Sequence, residues 1–271
     1  MDSIVLSAGF ASAINHTASH FHDSHQLLYI TRGQAQITVS GQEYAAGPGT
    51  LVLISRFEAH SVRVTTPDYC RYNIQIAPRI STYDKLMGYP VLSVLTNRPA
   101  LFRHAVDMSA CRELEPLLKE MADEYSCKRP LYRKFLDLQL LQLLLCLSRA
   151  HPELISQSGD ELALVQQVQS YLEKNYPAHL TLEDLSKTFH LSISYLSHQF
   201  KRTAGISVMG YLQACRLAAA KQQLAQTDLP IGRIIDACGY SDSSNFSRTF
   251  RAATGLTPTQ FRKCYRKPAG E

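Results

Sequence analysis

Ile231 to Arg262, IGRIIDACGYSDSSNFSRTFRAATGLTPTQFR, decides how the C-terminal part of this 271-residue chain folds. With a helical period, Phe246, Phe250 and Ala253 fall on one stripe, and Ser243, Ser244, Ser247, Arg248 and Arg251 fall on the opposite one. One face packs, and the other is small, polar and basic. Just upstream, Ile231, Ile234, Ile235 and Cys238 make the apolar stripe of a shorter helix, which Gly239 can end because glycine enters the left-handed region at little cost. The pair predicts a helix-turn-helix. Its second helix suits a DNA major groove, where serine and asparagine meet base edges and arginine meets a guanine or a phosphate. A solvated surface helix would show the same face, so a second signal is needed.

That signal lies upstream. Ser194 to Ser207, SYLSHQFKRTAGIS, matches Ser244 to Thr257, SNFSRTFRAATGLT, position by position at a spacing of 50 residues. Two copies of one module are present. The first has its own start, Thr181-Leu-Glu-Asp184, a capping-box pattern opening a helix that carries Leu182, Leu185 and Phe189. Its second helix begins near Ser192, buries Leu196 and Phe200, and leaves Ser194, Ser197, His198 and Lys201 facing out. Between the copies, Met209 to Gln226 is rich in Ala, Leu and Gln and predicts one helix. At 1.5 Å per residue it spans roughly 25 Å, enough to hold the modules apart as a rigid unit that reads successive major-groove turns about 34 Å apart.

Charge follows the same division. Residues 1–160 carry 15 Lys+Arg against 15 Asp+Glu, whereas from Lys187 onward the count is 12 against 4. A basic excess confined to the repeated modules is the electrostatic footprint of phosphate contact. The 7 cysteines show no CxxC spacing, which predicts a reducing, cytoplasmic setting. No basic segment followed by an apolar run opens the chain, so no signal peptide is expected. The richest apolar window, Leu136 to Leu147, is interrupted by Asp137, Gln139 and Gln142 and falls short of the ~20 residues a membrane span needs.

Residues 1–105 read as strands. Ala35 to Ser40 and Tyr69 to Ile76 alternate with period two, and Arg32-Gly33, Ser40-Gly41 and Gly47-Pro48-Gly49 supply turns. Many short strands at this spacing favour a sandwich or small barrel.

Residues 161–267 resemble the DNA-binding domain of the AraC/XylS family of bacterial transcription regulators. The resemblance is carried by Leu185, Ser194-Tyr-Leu-Ser, Phe200-Lys, Gly205, Arg216-Leu and Ala219, then by Ile231, Ile234, Gly239-Tyr-Ser-Asp, Asn245-Phe-Ser-Arg, Phe250-Arg, Gly255, Pro258 and Phe261-Arg. Where the family has alanine and glycine, this chain has Ser186 and His190; serine still fits a close helix contact, and histidine tolerates the left-handed conformation better than most residues. His20-Phe-His22, Gln26 to Gly33, Gly41, Gly47-Pro-Gly49 and His60 resemble the cupin-type sensor that often precedes this module, with fewer fixed points. The resemblance implies double-stranded DNA and a small-molecule effector as partners, and activation, hence RNA polymerase.

His20 and His22 stand two apart, so on a strand both point to one side, and a barrel can return His60 to them. Three readings stay open: polar groups of a small-molecule pocket, satisfied structural histidines, or ligands of a catalytic metal. Metal cupins usually add a glutamate, and Gln26, a neutral and poor ligand, stands at that place here. Tyr72 and Ile74, on an alternating strand, are expected as an adjoining wall, so the candidate effector residues are His20, His22, His60 and Tyr72.

Residues 109–150 read as two helices. The first carries Leu114, Leu117, Leu118, Met121 and Tyr125 and breaks at Lys128-Arg129-Pro130. The second, Leu131 to Arg149, has Leu136, Leu140, Leu143, Leu144 and Leu147 on one side and Leu138, Leu141 and Leu145 on another. One face covers the barrel, and the other pairs with a second subunit, as helices in this place do in the family, or is buried within the chain. The polar stretch His151 to Asp160 links to a helix that buries Leu162, Val165, Val168 and Leu172 and stops at Pro177.

The expectation is an α+β chain. Residues 1–150 form a cupin-like effector-binding and dimerisation domain, 151–160 a linker, and 161–271 an all-α domain with two helix-turn-helix motifs. Its function is that of an effector-controlled transcription regulator, a homodimer off the membrane, without cofactor, metal or catalysis. The alternative is a metal-dependent cupin enzyme fused to a DNA-binding module; no Ser/His/Asp arrangement or phosphate loop offers other chemistry.

Overall fold

The structure, a computed structural model, describes residues 3–12, 17–77, 93–96, 102–154 and 159–266. It divides into two compact units, 1–158 and 159–271, a division that falls inside the stretch expected as linker.

In the first unit, strands β1 (Val5–Ala11), β2 (Thr17–His20), β3 (His25–Arg32), β4 (Ala35–Val39), β5 (Gln42–Ala46), β6 (Thr50–Ile54), β7 (His60–Val64), β8 (Cys70–Ile76) and β9 (Ala105–Asp107) build two antiparallel sheets. Their orders are β1-β8-β3-β6-β9 and β2-β7-β4-β5. The β4–β5 hairpin turns on Ser40 and Gly41, with φ of 51° and 82°. Both central residues are left-handed, the form whose twist suits a two-residue hairpin, and only the glycine adopts it freely. Between the sheets lies an apolar layer of Leu28, Ile30, Ile37, Val39, Val52, Ile54, Val62 and Val64. The outer face of the five-stranded sheet carries a second layer, including Leu27, Tyr29, Leu51, Leu53, Tyr72 and Ile74.

A short helix α1 (Ser93–Thr96) adds Val94 and Leu95 to that second layer, which is otherwise covered by α2 (Leu114–Cys127) and α3 (Tyr132–Ala150). Lys128 and Leu131 turn the chain between these helices with φ of 49° and 66°. Leu136, Leu140, Leu143, Leu144 and Leu147 pack inward, as expected. Leu141 is also buried, at 7% exposure, so it does not belong to an outward face. The outward stripe is instead Leu131, Phe135, Leu138 and Leu145, exposed by 71, 54, 65 and 37%. Buried Asp137 on α3 accepts hydrogen bonds from the Ile4 amide at 2.8 Å and the Ser3 hydroxyl at 2.7 Å, fixing the start of β1 to the helix layer. A 3-10 turn, Pro152–Leu154, ends the described part of this unit.

The second unit is all helix: α4 (Gly159–Asn175), α5 (Leu182–Phe189), α6 (Ile193–Ala204), α7 (Val208–Gln226), α8 (Ile231–Ala237), α9 (Ser243–Thr254) and α10 (Pro258–Tyr265). Val165, Val168 and Leu172 are buried on α4, while the side chain of Leu162 lies outside the described residues. Local signals set the helix ends. Thr181 and Asp184 make the reciprocal capping box of α5, and His190 closes that helix in the left-handed region at φ 55°. Ser192, Ser207, Asp242 and Thr257 cap α6, α7, α9 and α10 with side-chain oxygens, each such cap worth about 1 kcal/mol. Ser186 donates across the first motif's turn to the Leu191 carbonyl, so serine at this place adds a latch to the close helix contact. Phe200, Tyr211, Phe246 and Phe250 are all nearly solvent-free, and burying each contributes about 1.5–3 kcal/mol.

Helix α7 packs against both halves of this unit, and one short stretch ties them further. The Arg216 guanidinium on α7 donates to the Tyr176 carbonyl at 2.8 Å and the Ala178 carbonyl at 2.9 Å. From the second motif, Gly239 approaches so closely that a Cβ there would stand 2.6 Å from the Pro177 carbonyl oxygen. Its φ of 78° ends the helix turn, as expected, and the close approach is a second reason for glycine.

Candidate functional site

The second helices of the two motifs, α6 and α9, are built alike. Each begins with a side-chain cap three residues before a structural partner amide, Ser192 to Tyr195 and Asp242 to Asn245, and each ends at a left-handed glycine, Gly205 or Gly255. Inward, α6 buries Leu196 and Phe200, and α9 buries Phe246 and Phe250. Outward, Ser194, His198 and Lys201 on α6 and Ser243, Ser244, Ser247, Arg248 and Arg251 on α9 are exposed. Ser197 is half-buried, and its hydroxyl oxygen is fully covered without a hydrogen-bond partner. The Arg248 guanidinium donates to Asn245 Oδ1 at 3.2 Å, which steadies it over the N-terminal half of α9. Tyr195 and Ile193, exposed beside these residues, were not singled out by the sequence pattern; an apolar side chain outside both helical stripes was the available signal.

In the first unit His20, His22 and His60 do converge. Their rings lie 4.3 Å (His20 to His60), 4.9 Å (His22 to His60) and 6.1 Å (His20 to His22) apart, centre to centre. The route differs from strand alternation: β2 ends at His20, which pairs with His60 on β7, and His22 arrives from the following loop. His60 is 2% exposed, and burial pushes its pKa down to about 4, with His22 and His20 adding repulsion against the Glu58 backbone hydrogen bond that favours its charge. Its Nδ1 lies 2.9 Å from the Glu58 carbonyl oxygen, which holds the proton there and leaves Nε2 as an acceptor. His22 differs: its Nε2 donates to Gln26 Oε1 at 3.0 Å, and its Nδ1 lies 3.0 Å from the Ser24 hydroxyl, which can donate to it. Gln26 in turn reaches Asn73 Oδ1 at 2.7 Å.

Tyr72 is not part of this group. Register pairs it with Tyr29, and both belong to the helix-side layer, where the Tyr72 ring meets Phe10 at 5.1 Å. Its neighbour Asn73, paired with Leu28, turns to the barrel side and takes the place expected of Tyr72. A divalent ion was tested against the donor set. The candidate ligand atoms of His20, His22 and His60 lie within 4.8 Å of one another, a spacing that admits one. The set nevertheless includes no carboxylate, and Gln26 already occupies His22 Nε2 where one would offset the ion's charge. The arrangement suits a polar organic group better than a catalytic metal. A separate cleft of about 400 Å³ is lined by Phe102, Arg103, Val106, Asp107, His151 and Leu154.

A two-sheet barrel with polar groups gathered at one end and a helical unit with two capped, basic helix-turn-helix motifs together define an effector-binding, DNA-binding regulator. The model of the AraC-like ligand binding domain matches residues 3–144, and that of a helix-turn-helix domain matches 185–264. The chain belongs to the AraC family of transcription regulators. It is 26% identical over 255 residues to the HTH-type transcriptional activator RhaS of Enterobacter sp. (strain 638), covering 90% of this chain and 87% of that protein. An uncharacterized HTH-type transcriptional regulator of Escherichia coli (strain K12), YdiP, is 25% identical over 256 residues, covering 91% and 81%. Among solved structures, unsaturated fatty acid bound ToxT from Vibrio cholerae shares the fold with a TM-score of 0.66 at 12% identity, covering 100% of this chain and 98% of that one. The curated relatives named here are transcription regulators, and among the described residues no helix is long and apolar enough to cross a membrane.

Proposed function

We propose that Ser194, Ser197, His198, Lys201, Ser243, Ser244, Ser247, Arg248 and Arg251 form the DNA-contacting surface of this regulator. The observation that carries the reading is the duplicated recognition helix, with the same caps and the same buried stripe leaving one polar, basic face free. Arg248 offers a bidentate donor to a guanine edge, and Lys201 and Arg251 offer charge to phosphates. Ser197, half-buried, contributes less than its sequence position suggests. His198 stands where the repeat has Arg248, so the first half-site depends less on fixed charge. Arg248→Ala should weaken operator binding by about 1–3 kcal/mol and relax preference at one base pair. Uniform weakening on all sequences would make it a phosphate contact, and unchanged binding would remove it from the interface.

The effector is a small polar organic molecule that meets His20, His22 and His60, with Gln26 and Asn73 completing the polar end of the barrel. The His60 imidazole presents an acceptor, and the carboxamides of Gln26 and Asn73 offer donors and acceptors, so the group is adaptable. Tyr72 plays no direct part. The chain acts without catalysis as a cytoplasmic homodimer joined through the outward stripe of α3, and it activates transcription through RNA polymerase. Ligand matters only as far as it favours one of two arrangements, since equal affinity for both shifts nothing. Titration with candidate metabolites should lose its response in His22→Ala and His60→Ala. A full response in both variants would move the effector to the cleft beside β9, whose volume lies in the range small ligands use.

A further inference from the structure

We propose that Cys111 and Cys146 form an oxidisable dithiol, a modification site at which a hydroperoxide closes an intrachain disulfide in the ligand-binding domain. The two cysteines come from the two arms of the helical hairpin and meet at its open end. Cys111 sits in the turn between β9 and α2, with its amide bonded to the Met108 carbonyl at 2.9 Å, and Cys146 lies in the C-terminal part of α3. Their sulfurs and a carboxylate oxygen of Glu113 lie within 4.8 Å of one another. Both residues are half-buried, which leaves them within reach of a small oxidant. A disulfide needs a sulfur separation of about 2.05 Å. Rotation about the Cys111 and Cys146 side-chain bonds is the movement that would bring together sulfurs now within 4.8 Å.

The chemistry balances with one equivalent of peroxide. One thiolate sulfur attacks the peroxide oxygen, the O–O bond breaks, and a sulfenic acid and water result. The second thiol then attacks that sulfur, an S–S bond forms, the S–O bond breaks, and a second water leaves. Both sulfurs are oxidised and both peroxide oxygens are reduced. Glu113 stands close enough to accept the thiol proton and return it to the departing hydroxide. Burial and the neighbouring Cys111 hold the Cys146 thiol up, which favours Cys111 as the first sulfur to react and Cys146 as the resolving one. The remaining cysteines divide into buried Cys70, Cys215 and Cys238, and exposed Cys127 and Cys264.

A link here closes the open end of the α2–α3 hairpin, opposite the turn at Lys128 to Leu131. It fixes the helix whose outer stripe is offered to a second subunit, so oxidation stiffens that surface without touching it. A reversible pair of this kind is what a reducing compartment permits, where lasting disulfides are rare.

The test uses the full chain, carrying Cys127→Ser and Cys264→Ser to prevent links between molecules, treated with hydrogen peroxide. After alkylation and proteolysis, the expected product is a linked peptide pair containing Cys111 and Cys146, lost on treatment with dithiothreitol, with a raised thermal midpoint. In Cys146→Ser, a sulfenic acid on Cys111 should accumulate and be trapped by dimedone, while Cys111→Ser should give none at Cys146. Both thiols remaining alkylatable while buried cysteines oxidise would overturn the proposal. A link that forms only with a fall in the thermal midpoint would also overturn it, because the bond would then belong to an unfolded chain. The peroxide chemistry of the unsubstituted pair decides the matter even where a serine variant fails to fold.

Discussion

His60 shows how one buried side chain can give the barrel a pH dependence. Burial lowers its pKa from 6.5 to about 4, so between those values the unfolded chain takes up a proton that the folded barrel refuses. The stability associated with His60 is therefore complete above about pH 6.5 and is lost as the pH falls towards 4. At its limit the loss is about 3 kcal/mol, from about 1.36 kcal/mol for each pKa unit. Chemical denaturation of wild type and His60→Gln across this window should give a steeper acid-side decline for wild type. Parallel curves would place the pH dependence in other groups. Asp137 makes a contrasting case, since its carboxylate is buried but satisfied by the Ile4 amide and the Ser3 hydroxyl. Asp137→Ala would take this acceptor from the buried Ile4 amide, while the Ser3 hydroxyl can still donate to the Val5 carbonyl; the cost is about 1–3 kcal/mol and should first appear as faster amide exchange at the start of β1.

Helix α3 carries one of the two element-scale lessons. Its outward residues Phe135, Leu138 and Leu145, with Leu131 at the N-cap, follow one another at spacings of four, three and seven, which keeps them on the one seam a helix offers to another. Leu138→Lys with Leu145→Glu should yield a folded monomer by sedimentation if that seam joins two subunits; a folded dimer would place the interface elsewhere. Leu141, which the sequence assigned to the same face, is buried, and a charge there would test the core instead. The helix faces were legible where caps and stripes agreed, as at Thr181, Ser192 and Gly255. Strand β8 was harder. Its alternation says apolar inward and polar outward, yet here a helix layer covers the outer face. Tyr72 and Ile74 therefore find their apolar partners outside the barrel, and Asn73 turns to its polar end. Sequence alternation reports two faces without saying which one is covered by what. Convergence of the histidines was legible from their spacing, but the loop that delivers His22 was not.

At the scale of the whole molecule, sequence separated a neutral N-terminal half from a basic C-terminal one, and the two compact units follow that division. Repetition made the DNA-binding unit easy to recognise, since each motif testified for the other. The sensor's ligand was less accessible, because a pocket depends on side chains brought from several strands. Within the second unit, residues 176–178 are gripped by Arg216 from one side and crowded by Gly239 from the other. Gly239→Ala would meet both a left-handed backbone and the Pro177 carbonyl, at a cost of about 2–4 kcal/mol. Its effect should extend to both motifs, so that the slowest-exchanging amides of α5 and α9 lose protection by the same amount. Unequal losses would show that the halves open separately. Equal losses would mean that a shared fastener makes the unit melt as a single foldon, and a motif cut from its neighbour should then lose its folded, operator-reading state.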